Sequence, residues 1–264
     1  MRCEVLLQPR TALRGEKMLS SMVEASARAG VECIVSTGEW RGLAPLLMTY
    51  GLGHLQRRPW QEAHKRGGGR LIGWDLGYWN RDVPLAFSMR LTIDDDHPHR
   101  LVRDEPADRW EAAGIVLRED ANADGPVVLV GLGKKQRALM GSRTQEWERR
   151  QAAALRRRFP DREVVYRPKR GGDELPGFRT MQGEIEQVLR GASLVVCHHS
   201  NVAVDACIAG VPVECEDGIA LALYRGNPAP SREERLRFLR SVAWWQWTPL
   251  EAARAWEFIK ARLT

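Results

Sequence analysis

No stretch of this 264-residue sequence approaches the roughly 20 consecutive apolar residues of a membrane-spanning helix, so no membrane partner is expected. The N-terminus also lacks the charged-then-apolar layout of a secretory leader. Met1–Pro9 reads as one short strand, and a cytoplasmic location is the expectation. Cysteine is scarce: Cys3, Cys33, Cys197, Cys207 and Cys215 include no C-x-x-C pair and lie mostly in apolar segments. That pattern fits reduced core thiols and disfavours a zinc site. No internal repeat or low-complexity tract is evident either.

What is present is length enough for one large or two small domains, and a surplus of positive charge. Lys and Arg number 40 against 34 Asp and Glu, a net charge of +6 that favours anionic partners. Arg149, Arg150, Arg156, Arg157 and Arg158 read either as a solvated helix face or as part of a nucleic-acid face.

The first half opens with a strand from Cys3 to Leu7, a helix near Gly15 to Ala29 and a second strand from Val31 to Ser36. This βαβ unit predicts a parallel sheet with a right-handed crossover. Leu46 to Gly53 follows, then an amphipathic helix through Trp60 and Ala63. Gly67-Gly68-Gly69 precedes the next strand, Arg70 to Trp74, and so reads as a turn and not as a phosphate loop. The polar, turn-rich run Arg118 to Pro126 predicts a domain boundary, giving a first lobe over 1–120 and a second over 126–230. C-terminal helices over 231–264 are expected to pack back across, opening at Ser231-Arg232-Glu233-Glu234 and at Thr248-Pro249-Leu250-Glu251. The Trp244, Trp245 and Trp247 group reads as packing for the last helix, with stacking on bases or sugars as the alternative.

The second half repeats the strand-turn-helix theme. Strand Val127 to Val130 runs into Gly131-Leu132-Gly133-Lys134-Lys135, ahead of a long helix from Thr144 to Phe159. Strand Glu163 to Tyr166 runs into Arg167-Pro168-Lys169-Arg170, and a helix from Met181 to Gly191 follows. Leu194 to Val196, an apolar run suited to a strand covered on both faces, ends at His198-His199-Ser200-Asn201 and enters a helix. In a parallel sheet these three turns fall at the carboxyl edge, where ligands of α/β sheets sit. Gly131 and Gly133 would let backbone approach a phosphate, with Lys134 or Lys135 adding charge, although the P-loop spacing is incomplete. Arg167, Lys169 and Arg170 add cations, and three anion-friendly turns on one rim fit a diphosphate. Asp205, one turn into the last helix, is either a ribose ligand or a helix-surface acid.

The segment SLVVCHHSNVAVDACIAGVPVECEDG resembles the donor-binding signature of GT-B glycosyltransferases and their nucleotide-sugar epimerase relatives. The first half is similar to small glycosyltransferases of tailed bacteriophages, in Tyr50-Gly51-Leu52-Gly53, Gly73-Trp74-Asp75-Leu76-Gly77-Tyr78-Trp79 and His97-Pro98. The resemblance implies an α/β fold of two Rossmann-like lobes. It implies a nucleotide diphosphate sugar as donor, held at its phosphates and sugar by His198, His199, Ser200 and Asn201 and at its ribose by Asp205. It also implies metal-independent transfer without a further cofactor. Relatives of this kind act on hydroxymethylated pyrimidines in phage DNA, which would make DNA the acceptor and an infected bacterium the location.

An acceptor hydroxyl needs a base. Asp75 ends the Leu71 to Trp74 strand among Trp74, Tyr78 and Trp79, where an apolar setting would tune a carboxylate for proton removal. Its alternative is a structural cap on the Gly77-Tyr78 turn. Asp94, Asp95 and Asp96, with His97 or His99, form a second set that also reads as a solvated turn. The competing functions are transfer to a polysaccharide, lipid or small molecule, and a nucleic-acid-binding module without catalysis.

Overall fold

The computed structural model describes residues 1–8, 11–51, 57–81, 87–142, 144–169 and 171–264. Pro9, Leu52, Gly53 and Arg170, which figure in the motifs above, lie outside them. Along the chain run β1 (Arg2–Leu7), α1 (Leu13–Ser26), β2 (Glu32–Thr37), β3 (Leu46–Tyr50), α2 (Arg58–Arg66), β4 (Arg70–Leu76) and β5 (Met89–Ile93). Next come α3 (Asp108–Ala112), β6 (Val127–Val130), α4 (Lys134–Leu139), α5 (Glu146–Arg158), β7 (Val164–Arg167), β8 (Arg179–Thr180) and α6 (Ile185–Leu189). The chain closes with β9 (Leu194–Cys197), α7 (Val202–Ala209), β10 (Val213–Cys215), α8 (Leu221–Tyr224), α9 (Arg232–Ala243), β11 (Gln246–Trp247) and α10 (Ala252–Leu263).

These elements form two compact units, one of Met1–Pro98 with Trp244–Thr264, the other of His99–Ala243. The expected boundary at Arg118 to Pro126 is therefore displaced. That segment is tied into the second unit, where Arg118 N–H donates to Ile208 O at 2.8 Å and Asp120 N–H to Ala209 O at 2.7 Å. Turn-rich composition marked a connection on the surface of one unit, and backbone pairing decided which unit owns it.

The first unit holds a sheet ordered β11-β5-β4-β3-β1-β2, parallel from β4 to β2. β5 and β11 add antiparallel edges that the βαβ pattern did not foretell. Cys3, Val5, Leu47, Met48, Ile72 and Trp74 are buried, as a sheet covered on both faces requires. One strand residue breaks the rule. Glu4 is fully buried, and its carboxylate accepts from Ser36 Oγ at 2.7 Å, Arg41 N at 2.8 Å and Leu43 N at 2.8 Å. Burial pushes its pKa up, but these donors outweigh it and hold the carboxyl below its ordinary value.

Of the two C-terminal helices, only α10 returns to the first unit, packing on α1, while α9 stays with the second. Trp256 Nε1–H donates to Met22 O at 2.8 Å, and Trp244 stacks on Phe258 with ring centroids 5.8 Å apart. Trp245, Trp247 and Trp256 are buried, while Trp244 is half-buried, and these contacts are those of a packing group. Both helix-opening motifs cap. Ser231 and Glu234 bond reciprocally, as do Thr248 and Glu251.

The second unit is a five-stranded parallel sheet ordered β10-β9-β6-β7-β8. Every residue of β6 and β9 is buried, which is why both read as unbroken apolar runs. The long helix expected from Thr144 to Phe159 is α5, with α4 as a separate short helix before it. Trp147, Ala152 and Leu155 face the core, and Arg149, Arg150, Arg156, Arg157 and Arg158 stay at the surface. Two of these arginines have local uses: Arg158 pairs with Glu214 at 2.7 Å, and Arg156 lies 3.8 Å above the Phe178 ring.

Candidate functional site

Because all strands of the second sheet run one way, the loops after β10, β9, β6 and β7 stand side by side at its carboxyl edge, in that spatial order. Three of them are the turns singled out from the sequence. The turns after β7 and β9 touch: Lys169 Nζ donates to Ser200 Oγ at 3.1 Å, across the space in front of β6. Ser200 Oγ also accepts from Val202 N–H at 3.3 Å, so the lysine is anchored to the start of α7. Asp205 is half-buried in the first turn of α7, which Asn201 precedes as cap.

The two glycines of the first turn differ in cause. A Cβ at Gly131 would stand 2.1 Å from the Tyr166 hydroxyl, so glycine is demanded by packing against β7. A Cβ at Gly133 would meet nothing nearer than Lys169 Cγ at 4.0 Å, and Gly133 has an ordinary extended backbone. Its missing side chain leaves open space at the rim. Lys134 and Lys135 are exposed at the start of α4. Arg167 turns elsewhere, since its guanidinium donates to Met181 O at 3.3 Å and Gly183 O at 2.6 Å and so braces the loop after β8.

Beneath the first turn lies a buried ion pair that the sequence did not announce. Glu148 Oε1 accepts from Arg137 Nη2 at 2.6 Å, Arg137 Nε at 3.0 Å and Leu132 N–H at 3.0 Å. A carboxylate of α5 thus pins the Gly131–Gly133 turn from below and ties α4 to it.

The fourth loop, Glu216-Asp217-Gly218, was also missed. Glu216 Oε1 accepts from Trp147 Nε1 at 2.9 Å and Gln151 Nε2 at 2.8 Å, and Oε2 lies 3.7 Å from His198 Nε2. His198 Nδ1 and His199 Nδ1 are 3.1 Å apart. Asp217 Oδ1 is 3.9 Å from His99 Nδ1, and backbone N–H groups of Glu216 and Asp217 donate to His198 O at 3.0 and 2.7 Å. The available signal was position: an acidic pair directly after the strand neighbouring the His-His turn must meet it.

In the first unit, Asp75 lies near the carboxyl end of β4, opposite Arg90 of β5, whose Nη2 donates to its Oδ2 at 3.3 Å. The expected apolar setting is therefore replaced by an ion pair with side chains 26% and 12% exposed. Strand alternation explains it, since buried Trp74 points to the opposite face from Asp75. At the Gly77-Tyr78 turn, Tyr78 N–H donates to Gln246 Oε1 at 2.8 Å and Gly77 N–H to Ser88 O at 3.0 Å, while Asp75 Oδ1 accepts from Leu76 N–H at 2.8 Å. Asp94 pairs with Arg70 and Asp96 with Arg58, which makes the acidic trio a braced turn. Among the described residues no group of three or more His, Cys, Asp or Glu is arranged to hold a metal ion, and no helix is long and apolar enough to cross a membrane.

No family model and no curated protein matches the sequence. Among solved structures, the fold is similar to Thermosulfurimonas dismutans KpsC, beta Kdo 2,7 transferase, with a TM-score of 0.55 and 14% identity over 98% of this chain and 100% of that one. It is likewise similar to T. dismutans KpsC, beta Kdo 2,4 transferase, with a TM-score of 0.56 and 12% identity over 98% of each chain. At such identity the likeness concerns the fold. The fold class is mixed α/β, with two units that each carry a Rossmann-like, largely parallel sheet and helices.

Proposed function

We propose that this chain is a glycosyltransferase moving a sugar from a nucleotide-activated donor to a hydroxyl acceptor. One observation carries the reading: loops rich in His, Lys, Ser and Gly share the carboxyl edge of a parallel sheet and are linked through Lys169 and Ser200. In this assignment Gly133, Lys134, Lys169, Ser200 and Asn201 hold the donor phosphate, and His198 and His199 the phosphate and sugar. Asp205 takes the ribose hydroxyls. Gly131 keeps the first turn in place, and Arg167 supports the rim through the loop it braces.

The acceptor oxygen attacks the anomeric carbon as the bond from that carbon to the phosphate oxygen breaks. The acceptor proton passes to Asp75, whose partner Arg90 fixes the carboxylate. The leaving phosphate keeps the electron pair and is stabilised by Lys169, Lys134 and the N–H groups at the start of α7. Single displacement of this kind inverts the anomeric centre. No cofactor enters the scheme.

For the acceptor, a saccharide hydroxyl draws support from the likeness to two Kdo transferases. A hydroxymethylated pyrimidine in DNA draws on the net charge of +6 and on the resemblance of first-half motifs to phage glycosyltransferases. We favour the saccharide.

Calorimetric titration with cytidine, uridine, guanosine and thymidine mono- and diphosphates tests the donor half, with binding expected for one base and loss of at least tenfold in Lys169→Ala. Failure of all of them to bind would overturn it. Incubation of the matching nucleotide sugar with acidic oligosaccharides and with hydroxymethylcytosine or hydroxymethyluracil duplexes, read by mass spectrometry, tests the acceptor. Glycosylated duplex would replace the saccharide reading, and Asp75→Asn should abolish whichever product forms.

A further inference from the structure

The solvent face of α5 carries arginines for which neither the packing nor the donor reading has a use. β6 and β7 are parallel, so the chain between them crosses from the carboxyl edge of the sheet to the amino edge, and α5 makes that crossing. It starts at the rim, where Trp147 and Gln151 bond Glu216. Arg149 and Arg156, like Arg150 and Arg157, are seven residues apart and so lie in two adjacent rows on one helix face, each pair about 10 Å apart along the axis. Arg149, Arg150 and Arg157 are exposed, and among the described residues their side chains make no hydrogen bond or ion pair. Where α5 ends, Arg156, Phe159, Arg162, Glu163 and Arg179 line a groove of about 530 Å³ beside the first residues of β7 and β8. Arg158 and Arg162 lie 4.7 and 5.4 Å from the Phe159 ring centroid, and Arg156, over Phe178, also donates to Gly177 O. Glu214 and Glu163 answer Arg158 and Arg179. That leaves the exposed acids Glu146 and Asp161 to set against Arg149, Arg150, Arg156, Arg157 and Arg162.

We propose that this face of α5 and the groove at its end form a docking track for an acidic oligosaccharide, the part of the acceptor remote from the reacting hydroxyl. The excess of arginine sets the sign of the partner, and the planar fork of a guanidinium matches a sugar carboxylate. Arg156 and Arg162 are held over rings, which limits the side-chain freedom lost when an anion is bound. The rows extend over more than two helical turns, a span for several sugars and not for one. Single-stranded nucleic acid fits less well, because its bases stack on free aromatic faces. Phe159 and Phe178 pack against the core and are overlaid by guanidinium groups. A lipid surface fits less well too: among the described residues, no exposed large apolar side chain lies on α5 or in the groove. This role rests on the saccharide reading of the acceptor above.

Fluorescence anisotropy with the full chain and labelled hexagalacturonate, which bears a carboxylate on each sugar, reads the track. Wild type should bind it, more weakly as salt rises, and should not bind its uncharged methyl ester. Arg149→Gln/Arg157→Gln/Arg162→Gln should weaken binding about tenfold, and the corresponding triple Lys variant should recover part of the loss. Arg28→Gln/Arg66→Gln/Arg225→Gln removes the same charge from exposed positions elsewhere and should stay within about twofold of wild type. No binding by wild type, equal loss in the two glutamine variants, or equal binding of the methyl ester would overturn the proposal. So would tighter binding of a single-stranded oligonucleotide of equal charge, or of phosphatidylglycerol vesicles, that the first variant loses. Nucleotide titration should give the same result for the first variant and wild type. If no nucleotide binds either, the donor reading fails, and if the product is a glycosylated duplex, the saccharide reading fails; the anisotropy still decides the track.

Discussion

Removing the Glu148 carboxylate is the sharpest test of how the candidate rim is built. Glu148 is fully buried, Arg137 nearly so, and Glu148 Oε1 alone receives three donors. Glu148→Ala would strand a buried guanidinium and the buried Leu132 N–H. Deleting one partner of a buried ion pair costs about 3–5 kcal/mol, and most of that is the charge left without compensation. At roughly 2–4 °C per kcal/mol for a unit of this size, the melting transition should fall by on the order of 10 °C in calorimetry. Arg137→Met should cost a similar amount. The double variant Arg137→Met/Glu148→Leu should cost much less than the sum, because neither charge then remains to be solvated. A fall of less than about 1 kcal/mol in both single variants, or simple additivity in the double, would refute the claim that this pair pins the Gly131–Gly133 turn.

Gly131→Ala should lose about 1–3 kcal/mol in urea unfolding through its clash with Tyr166, whereas Gly133→Ala should stay within about 0.5 kcal/mol yet weaken nucleotide binding. Glu4, held below the ordinary carboxyl value, stabilises the fold above its unfolded pKa of about 4.3, and that contribution disappears as pH falls through the folded value. Glu4→Gln should therefore be destabilised by about 2 kcal/mol at pH 7, with the gap from wild type closing below pH 4 in acid-unfolding curves. Cys33 lies opposite Cys3 across β1 and β2. The hydrogen bond from Cys3, opposed by burial and aided by Ser26, lowers its thiol to about 7. Burial pushes Cys197 up to about 11. Alkylation followed by mass spectrometry should modify Cys33 with half-maximal rate near pH 7 and leave Cys197 untouched at pH 8.

The sequence by itself determined the strands and the edge at which the candidate chemistry gathers. Val127 to Val130 and Leu194 to Val196 are short, unbroken apolar runs bounded by turn residues, which suits strands buried on both faces, and in a parallel sheet the turns that follow such strands emerge together. Capping residues at Ser231 and Thr248 likewise state locally where helices begin. Tertiary structure decided everything that depends on a partner distant in the chain. The antiparallel strand β5, the return of β11 and α10 to the first unit, the boundary at Pro98 and not near Asp120, and the Arg90 partner of Asp75 all follow from which segment lies beside which. So do the buried carboxylates: Glu4 and Glu148 look like surface acids in the sequence, because the donors that make their burial tolerable lie 11 to 39 residues away. Hydrophobic periodicity is a property of neighbours along the chain, whereas solvation of a charge is a property of neighbours in space.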